Sequence, residues 1–180
     1  MIQINPTKIL PLRINDRIIG KSTTTFVVIE YGNYQCSSSG QAHSTIKKLQ
    51  QQLGERFCFV FRHFPRLEVH PQSLKAAEVA EAAGTQGKFW EMHAMLFENQ
   101  KQLEDGNLVE YAANLKLDIP LFLKELTSHI HRDRIQEDVD SGIEYGVEQT
   151  PTFFIGIRQE GIHNLEVLLV QISKIISQIA

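Results

Sequence analysis

The sequence predicts an α/β domain with a helical insertion between its second and third core strands, and three observations predict it. An apolar, β-branched run from Phe26 to Ile29 leads through a Gly32-Asn33 turn into an amphipathic helical stripe, then into a second strand-like run, Arg56 to His63. Every periodic stretch from Pro65 to Tyr145 is helical. Strand character returns at Thr152 to Ile157 and is followed by one more apolar helical face. With 180 residues and 42% apolar content, the chain suits one domain of ordinary size, residues 1–180.

Residues 1–23 contain Pro6, Pro11, Gly20 and scattered isoleucines, which suggests an irregular N-terminal arm with room for one short edge strand. The main strand is expected over Thr24 to Tyr31. The first helix follows because Ala42, Ile46, Leu49 and Leu53 recur at three- and four-residue spacing, with Gly54 as its C-cap. In the second strand Phe57, Phe59 and Phe61 alternate with Cys58, Val60 and Arg62, so the two sets face opposite sides of the sheet. Strand, helix and strand form a right-handed βαβ unit with parallel strands. The insertion, residues 65–146, divides into helices at Leu74 to Ala83, after Gly87, at Leu108 to Leu115, from Pro120, and along a stripe of Ile130, Ile135, Val139 and Ile143. The strand at Thr152 is expected to bend near Gly156 and Gly161. A last helix is expected from Asn164, its isoleucine-rich face suiting a monomer's core or a homodimer. The order β-α-β, helical insertion, β-β-α is a thioredoxin-type topology.

Charge excludes some functions. A net charge of −3, with no block of lysines or arginines, gives no footprint for nucleic acid or an anionic membrane. No apolar run approaches the ~20 residues needed to span a bilayer, and residues 1–20 lack the basic start and apolar centre of a signal peptide. With Met1 as the natural start, the expectation is a cytoplasmic protein. Two cysteines provide no disulfide framework, which suits a reducing compartment. His129 and His131 are the only histidines close together. A charged helix does not place them on one face, so no metal site is expected.

Cys36 is the residue around which chemistry is expected. It stands at the junction of turn and helix, where unpaired backbone N–H groups and the helix dipole favour a thiolate. The expectation is a presented, nucleophilic sulfur, although a lone cysteine in a loop is more often inert. Three residues on, where a thiol exchanger carries its second cysteine, stands Ser39. Its hydroxyl is placed to hydrogen-bond the sulfur but cannot close a disulfide. Cys58 cannot substitute, because it follows a helix of about seventeen residues, ~25 Å long, whereas a disulfide needs Cα atoms within ~7 Å. It is read as a packed core thiol.

Two further positions complete the candidate site. Gln149-Thr150-Pro151 precedes the third core strand. Proline there often marks only an edge, but beside a nucleophilic cysteine on this topology a cis bond would turn the Thr150 backbone toward Cys36. Thr150, Pro151 and Gln149 would then dock an extended peptide. Glu30 follows four apolar strand residues, where burial would raise its pKa and suit it to proton transfer; the alternative is a carboxylate facing solvent at the strand end.

The strings IEYGNYQCSSS (Ile29 to Ser39), FRHFP (Phe61 to Pro65), His70-Pro71, GKFWEMH (Gly87 to His93), LFENQ (Leu96 to Gln100) and TPTFF (Thr150 to Phe154) occur in this order. From about Asp16 onward the chain resembles the DsbA-like thiol-disulfide oxidoreductases of the thioredoxin superfamily, in a bacterial branch. The resemblance implies a thioredoxin fold with a helical insertion, Cys36 as nucleophile, Glu30 as buried acid and Pro151 as cis-proline. His63, His70 and His93 fall inside the shared strings and are assigned to packing and hydrogen bonding. The departures are Ser39 for the second cysteine, Ser37-Ser38 between, and Asn33 for the acid that often follows the glycine. A dithiol cycle cannot run on this site.

Two functions compete. As a monothiol oxidoreductase acting on protein or peptide thiols and disulfides, the Cys36 thiolate would attack a disulfide, or glutathione disulfide, and form a mixed disulfide that an external thiol such as glutathione resolves, with no bound cofactor. As a binding module, the same ledge would hold extended peptides without turnover. Cys36→Ala separates them, abolishing covalent capture in the first case and sparing affinity in the second.

Overall fold

The computed structural model describes residues 2–4, 10–24, 26–54 and 57–157. Strands β1 (Ile2–Ile4), β2 (Arg17–Ile19), β3 (Phe26–Gly32), β4 (Phe57–His63) and β5 (Thr152–Ile157) form one sheet in the order β1-β5-β3-β4-β2. β3 and β4 run parallel from Phe26↔Phe57 to Gly32↔His63, while β5 lies antiparallel to β3 on its other side. Helix α1 (Ser37–Leu53) makes the crossover, and α2 (Ser73–Thr85), α3 (Phe89–Glu98), α4 (Asp105–Asn114), α5 (Ile119–Ser128) and α6 (Arg132–Glu144) fill the stretch between β4 and β5. The order of elements is that of a thioredoxin-like α/β fold with its helical insertion.

The alternation in β4 divides the core in two. Phe57, Phe59 and Phe61 pack with Val28, Ala42, Ile46, Leu49 and the apolar faces of α2 to α5. Cys58 and Val60, on the opposite face, pack with Val27, Ile29, Tyr31, Leu10 and Phe154, with Val139 of α6 against them. The alanine-rich face of α2 is fully covered, Ala76, Ala80, Ala82 and Ala83 being wholly buried. Small side chains there let α2 pack closely against α3 and α5, and its alanines share one cluster with Phe57, Phe59 and Phe61 of β4, so the insertion is continuous with the core.

Four expectations need correction. The N-terminal arm forms both edges of the sheet, β1 pairing parallel with β5 and β2 antiparallel with β4. One short edge strand is expected here; the second, like the pairing of both, carries too little periodicity to be read from sequence. The stripe assigned to the last insertion helix is half right. Ile135 is buried and Val139 packs on the core, but Ile130 precedes α6 and is exposed, as is Ile143. His129 and His131 lie on no helix. They flank the α5–α6 corner, where His129 is the left-handed C-cap of α5 and His131 the N-cap of α6. Gly156 continues β5, paired with Val27, instead of bending it. The expected bend at Gly161 and helix from Asn164 lie outside the described residues.

Candidate active site

β3 ends at Gly32, at the same end of the sheet as the C-terminus of β4, and the chain turns there through Asn33 to Cys36. The Cys36 N–H donates to the Asn33 carbonyl at 3.0 Å, closing the turn. The Asn33 side chain organises its surroundings, its Oδ1 accepting from the Gln35 N–H at 2.9 Å and its amide standing 3.2 Å from His70 Nδ1. Burial and the nearby Arg66 charge lower the His70 pKa, which suits a neutral ring accepting from the Asn33 amide. Gln35 and Gln72 exchange two further hydrogen bonds, so the loop before α2 is tied to the turn. None of these polar ties is visible as periodicity. The strings shared with the DsbA-like family, which contain Asn33 and His70, were the available signal.

Cys36 is the N-cap residue of α1, extended at φ −81° and ψ 122°, and its carbonyl accepts from the Gly40 N–H at 3.1 Å. The first N–H groups of α1 therefore face the same end as the sulfur. Cys36 Sγ donates to the Thr150 carbonyl at 3.2 Å, and the Thr150–Pro151 peptide bond is cis. The structure thus brings together two segments 114 residues apart. It also corrects the expected exposure, because the ledge covers the thiol, leaving Cys36 only 9% exposed. Gln149 is exposed beside the ledge, and its carbonyl accepts from Thr152 Oγ1 at 2.7 Å.

Ser39 is wholly buried, and its hydroxyl does not bond the sulfur as expected. Its Oγ accepts from the Asn33 N–H at 3.3 Å, which makes it a brace inside the turn. At i+3 from the N-cap the side chain points back under the turn, where an unpaired backbone amide is the nearer partner. Cys58 is fully buried among Val27, Val60 and Leu10, far from Cys36, and both cysteines are thiols.

Glu30 lies on β3 between Phe61 of β4 and Phe153 of β5, 1% exposed, its Oε1 without a hydrogen-bond partner. Burial pushes its pKa well above the usual carboxylate range, and the negative charge of a Cys36 thiolate pushes it further in the same direction. The alternative of a solvated carboxylate is excluded. Nearby, the Tyr34 hydroxyl bonds His93 Nδ1 at 3.0 Å, while the Tyr34 ring packs on Phe61 and Phe97. His63 bonds Glu81, so all three histidines of the shared strings have hydrogen-bonding roles. Among the described residues no cluster of three His, Cys, Asp or Glu side chains could hold a metal, and no helix is long and apolar enough to cross a membrane.

Comparison with known proteins adds the family. The family model Thioredoxin_4, described as thioredoxin, matches residues 13–173. Among solved structures, alpha-DsbA1 of Wolbachia pipientis superposes with a TM-score of 0.73 at 23% identity, covering 94% of each chain. Oxidised BdbD of Bacillus subtilis gives 0.73 at 21% identity, over 90% of this chain and 93% of that one. The alpha-DsbA2 of Wolbachia pipientis, described as a thiol-disulfide exchange protein, gives 0.70 at 20%, over 89% and 87%. A protein of Salinispora arenicola named Na(+)/H(+) antiporter NhaA 1 is 38% identical over 169 residues, 93% of this chain and 25% of that protein. The chain spans about a quarter of the length of the curated relatives it matches, and the antiporter name belongs to those proteins as wholes. The family match takes in both halves of the site, Cys36 and the Thr150–Pro151 ledge. The chain belongs to the thioredoxin family, with the helix-inserted fold of the DsbA-like thiol-disulfide oxidoreductases.

Proposed function

We propose that this chain is a monothiol thiol-disulfide oxidoreductase acting on protein or peptide disulfides. The observation that carries the proposal is the 3.2 Å contact between Cys36 Sγ and the Thr150 carbonyl, at a cysteine that caps a helix. In the first step the Cys36 thiolate attacks one sulfur of a substrate disulfide. A new S–S bond forms at Cys36, the old one breaks, and the departing thiolate takes up a proton. In the second step an external thiolate attacks the mixed disulfide, carries the substrate sulfur away as a new disulfide and returns the Cys36 thiolate. No electrons are left over, since each step exchanges one disulfide for another. In a reducing compartment, the cytoplasmic one expected from the sequence, glutathione is the natural external thiol.

Ser39 gives this cycle its external step, because a hydroxyl has no sulfur with which to resolve the intermediate. Glu30, held neutral by burial, is a proton donor close to the sulfur without adding negative charge beside the thiolate. The Thr150 carbonyl, released when the thiol loses its proton, is an acceptor for the backbone of an extended substrate.

The test is turnover of a peptide mixed disulfide with and without reduced glutathione. The chain should stop at one covalent adduct per molecule without glutathione and cycle with it, Cys36→Ala should do neither, and Ser39→Cys should release itself unaided. Cycling of the unaltered chain without external thiol would contradict the proposal. A second reading, peptide docking without exchange, is favoured by the low exposure of Cys36. It requires Cys36→Ala to bind the same peptide with unchanged affinity and the unaltered chain to form no adduct.

A further inference from the structure

The turn that carries Cys36 is gripped by a side chain of the helical insertion. Gln100 lies in the loop between α3 and α4, and its Nε2 donates to the carbonyls of Tyr34 at 2.8 Å and Cys36 at 2.7 Å. A primary amide has two hydrogens, so one side chain satisfies both oxygens at once. The Cys36 carbonyl also accepts the first bond of α1, from Gly40. The peptide that sets the direction of the Cα–Cβ bond bearing Sγ is thereby fixed from two sides.

The fit around this amide is close. A Cβ added at Gly40 would lie 2.2 Å from Gln100 Oε1 and 2.7 Å from its Cδ, so a side chain at position 40 would displace the glutamine. The insertion holds the turn a second time through Phe97, whose ring lies 4.8 Å from that of Tyr34. Gln100 therefore closes a frame whose other members are Asn33 of the turn and Ser39 in the first turn of α1.

We propose that Gln100 is a positioning residue for Cys36, fixing the sulfur in line for attack on a disulfide, with Gly40 as the space that admits it. The inference rests on Cys36 being the nucleophile of the proposed function. Disulfide exchange needs three sulfurs nearly collinear, so a turn that wanders lowers the rate even while the thiol stays intact.

Two substitutions separate donation from bulk. Gln100→Met keeps the length and removes the donor. Gln100→Glu keeps the shape, sets a carboxylate against two carbonyl oxygens, and regains an O–H donor only when protonated. The readouts are the rate at which Cys36 is captured by glutathione disulfide, as a ratio to the unaltered chain from pH 5 to 8, and the ¹³C resonances of the Tyr34 and Cys36 carbonyls.

Both variants should be slower by about tenfold at pH 8 and should shift the two carbonyl resonances. The Gln100→Glu ratio should recover as pH falls, while the Gln100→Met ratio stays flat. Gly40→Ala should cause the same loss alone and add nothing on top of Gln100→Met. Capture by Gln100→Met at the unaltered rate, Gln100→Glu without recovery, or losses from Gly40→Ala and Gln100→Met that multiply would each overturn the assignment. Should the unaltered chain fail to react with glutathione disulfide, the proposed function falls. The carbonyl resonances, which need no chemistry, then decide the positioning claim, and unshifted resonances overturn it.

Discussion

A carboxyl group with one oxygen buried and unpartnered costs the fold free energy in its charged form, and Glu30 is such a group. Its folded pKa is raised, so the stability it contributes is full below the ordinary carboxylate range and is lost as pH climbs toward the folded value. Glu30→Gln should therefore raise stability at pH 8 and leave it unchanged near pH 4, as read from urea midpoints. If Glu30 acts as proton donor, the same variant should slow capture of disulfides by Cys36. Gly32 sits over this carboxyl, where an added Cβ would meet Phe61 ring atoms at 2.3 and 2.8 Å and Glu30 Oε1 at 2.9 Å. Gly32→Ala should cost about 1–3 kcal/mol through overpacking, measurable in the same urea titration. At this scale the sequence was legible where chemistry follows from position, as for Cys36 at the helix start and Cys58 in a core strand. The role of Ser39 was not, because an Oγ partner depends on which backbone amide the fold leaves nearby.

At the scale of elements, the N-terminal arm departs furthest from its sequence reading. It looked irregular because its order comes from charge and not from periodicity. Arg62 of β4 holds Asp16 through two bonds of 2.9 Å, Arg13 reaches Asp138 on α6, and Arg17 of β2 reaches Glu81 on α2. Asp138 is wholly buried, accepts the His63 N–H at 2.9 Å and also pairs with Arg134. Apart from the Arg134–Asp138 pair within α6, these pairings join residues 46 to 125 positions apart, which no local pattern encodes. The Glu81 group is the sharpest case. Burial alone would raise its pKa, but hydrogen bonds from His63 and Arg17 override burial and hold it far below the usual range. Glu81→Gln should cost about 3 kcal/mol at pH 7, since it leaves buried donors with a weaker acceptor. A loss under about 0.5 kcal/mol in a urea titration would contradict a stabilising role for this cluster.

For the whole molecule, these groups combine into a pH dependence. His93 is buried beside His43 and His63, and desolvation with like-charge repulsion holds its pKa well below 6.5; burial lowers His43 as well. Folding therefore keeps both rings neutral while the unfolded chain takes up protons, so stability falls as pH drops through 6.5. Asp16 and Glu81 have lowered folded pKa values, so their contribution is present above about 4.5 and is lost below it. Glu30 acts in the opposite sense over the acidic range. The expected urea midpoint declines in two stages, below pH 6.5 and again below pH 4.5, and His93→Phe should reduce the first stage. The parallel β3–α1–β4 unit, the helical insertion and β5 were legible because their periodicities are long and their breaks are marked by glycine and proline. The second edge strand, the pairing of both sheet edges and the polar frame around the turn were not, since they depend on contacts between distant segments.

The most direct measurement is the intact mass of the reduced chain after exposure to glutathione disulfide, followed by peptide mapping of Cys36 and Cys58. The account predicts one glutathione per chain, on Cys36, none on Cys58, and none at all in Cys36→Ala. An unmodified Cys36, or glutathione on Cys58 in its place, would contradict it.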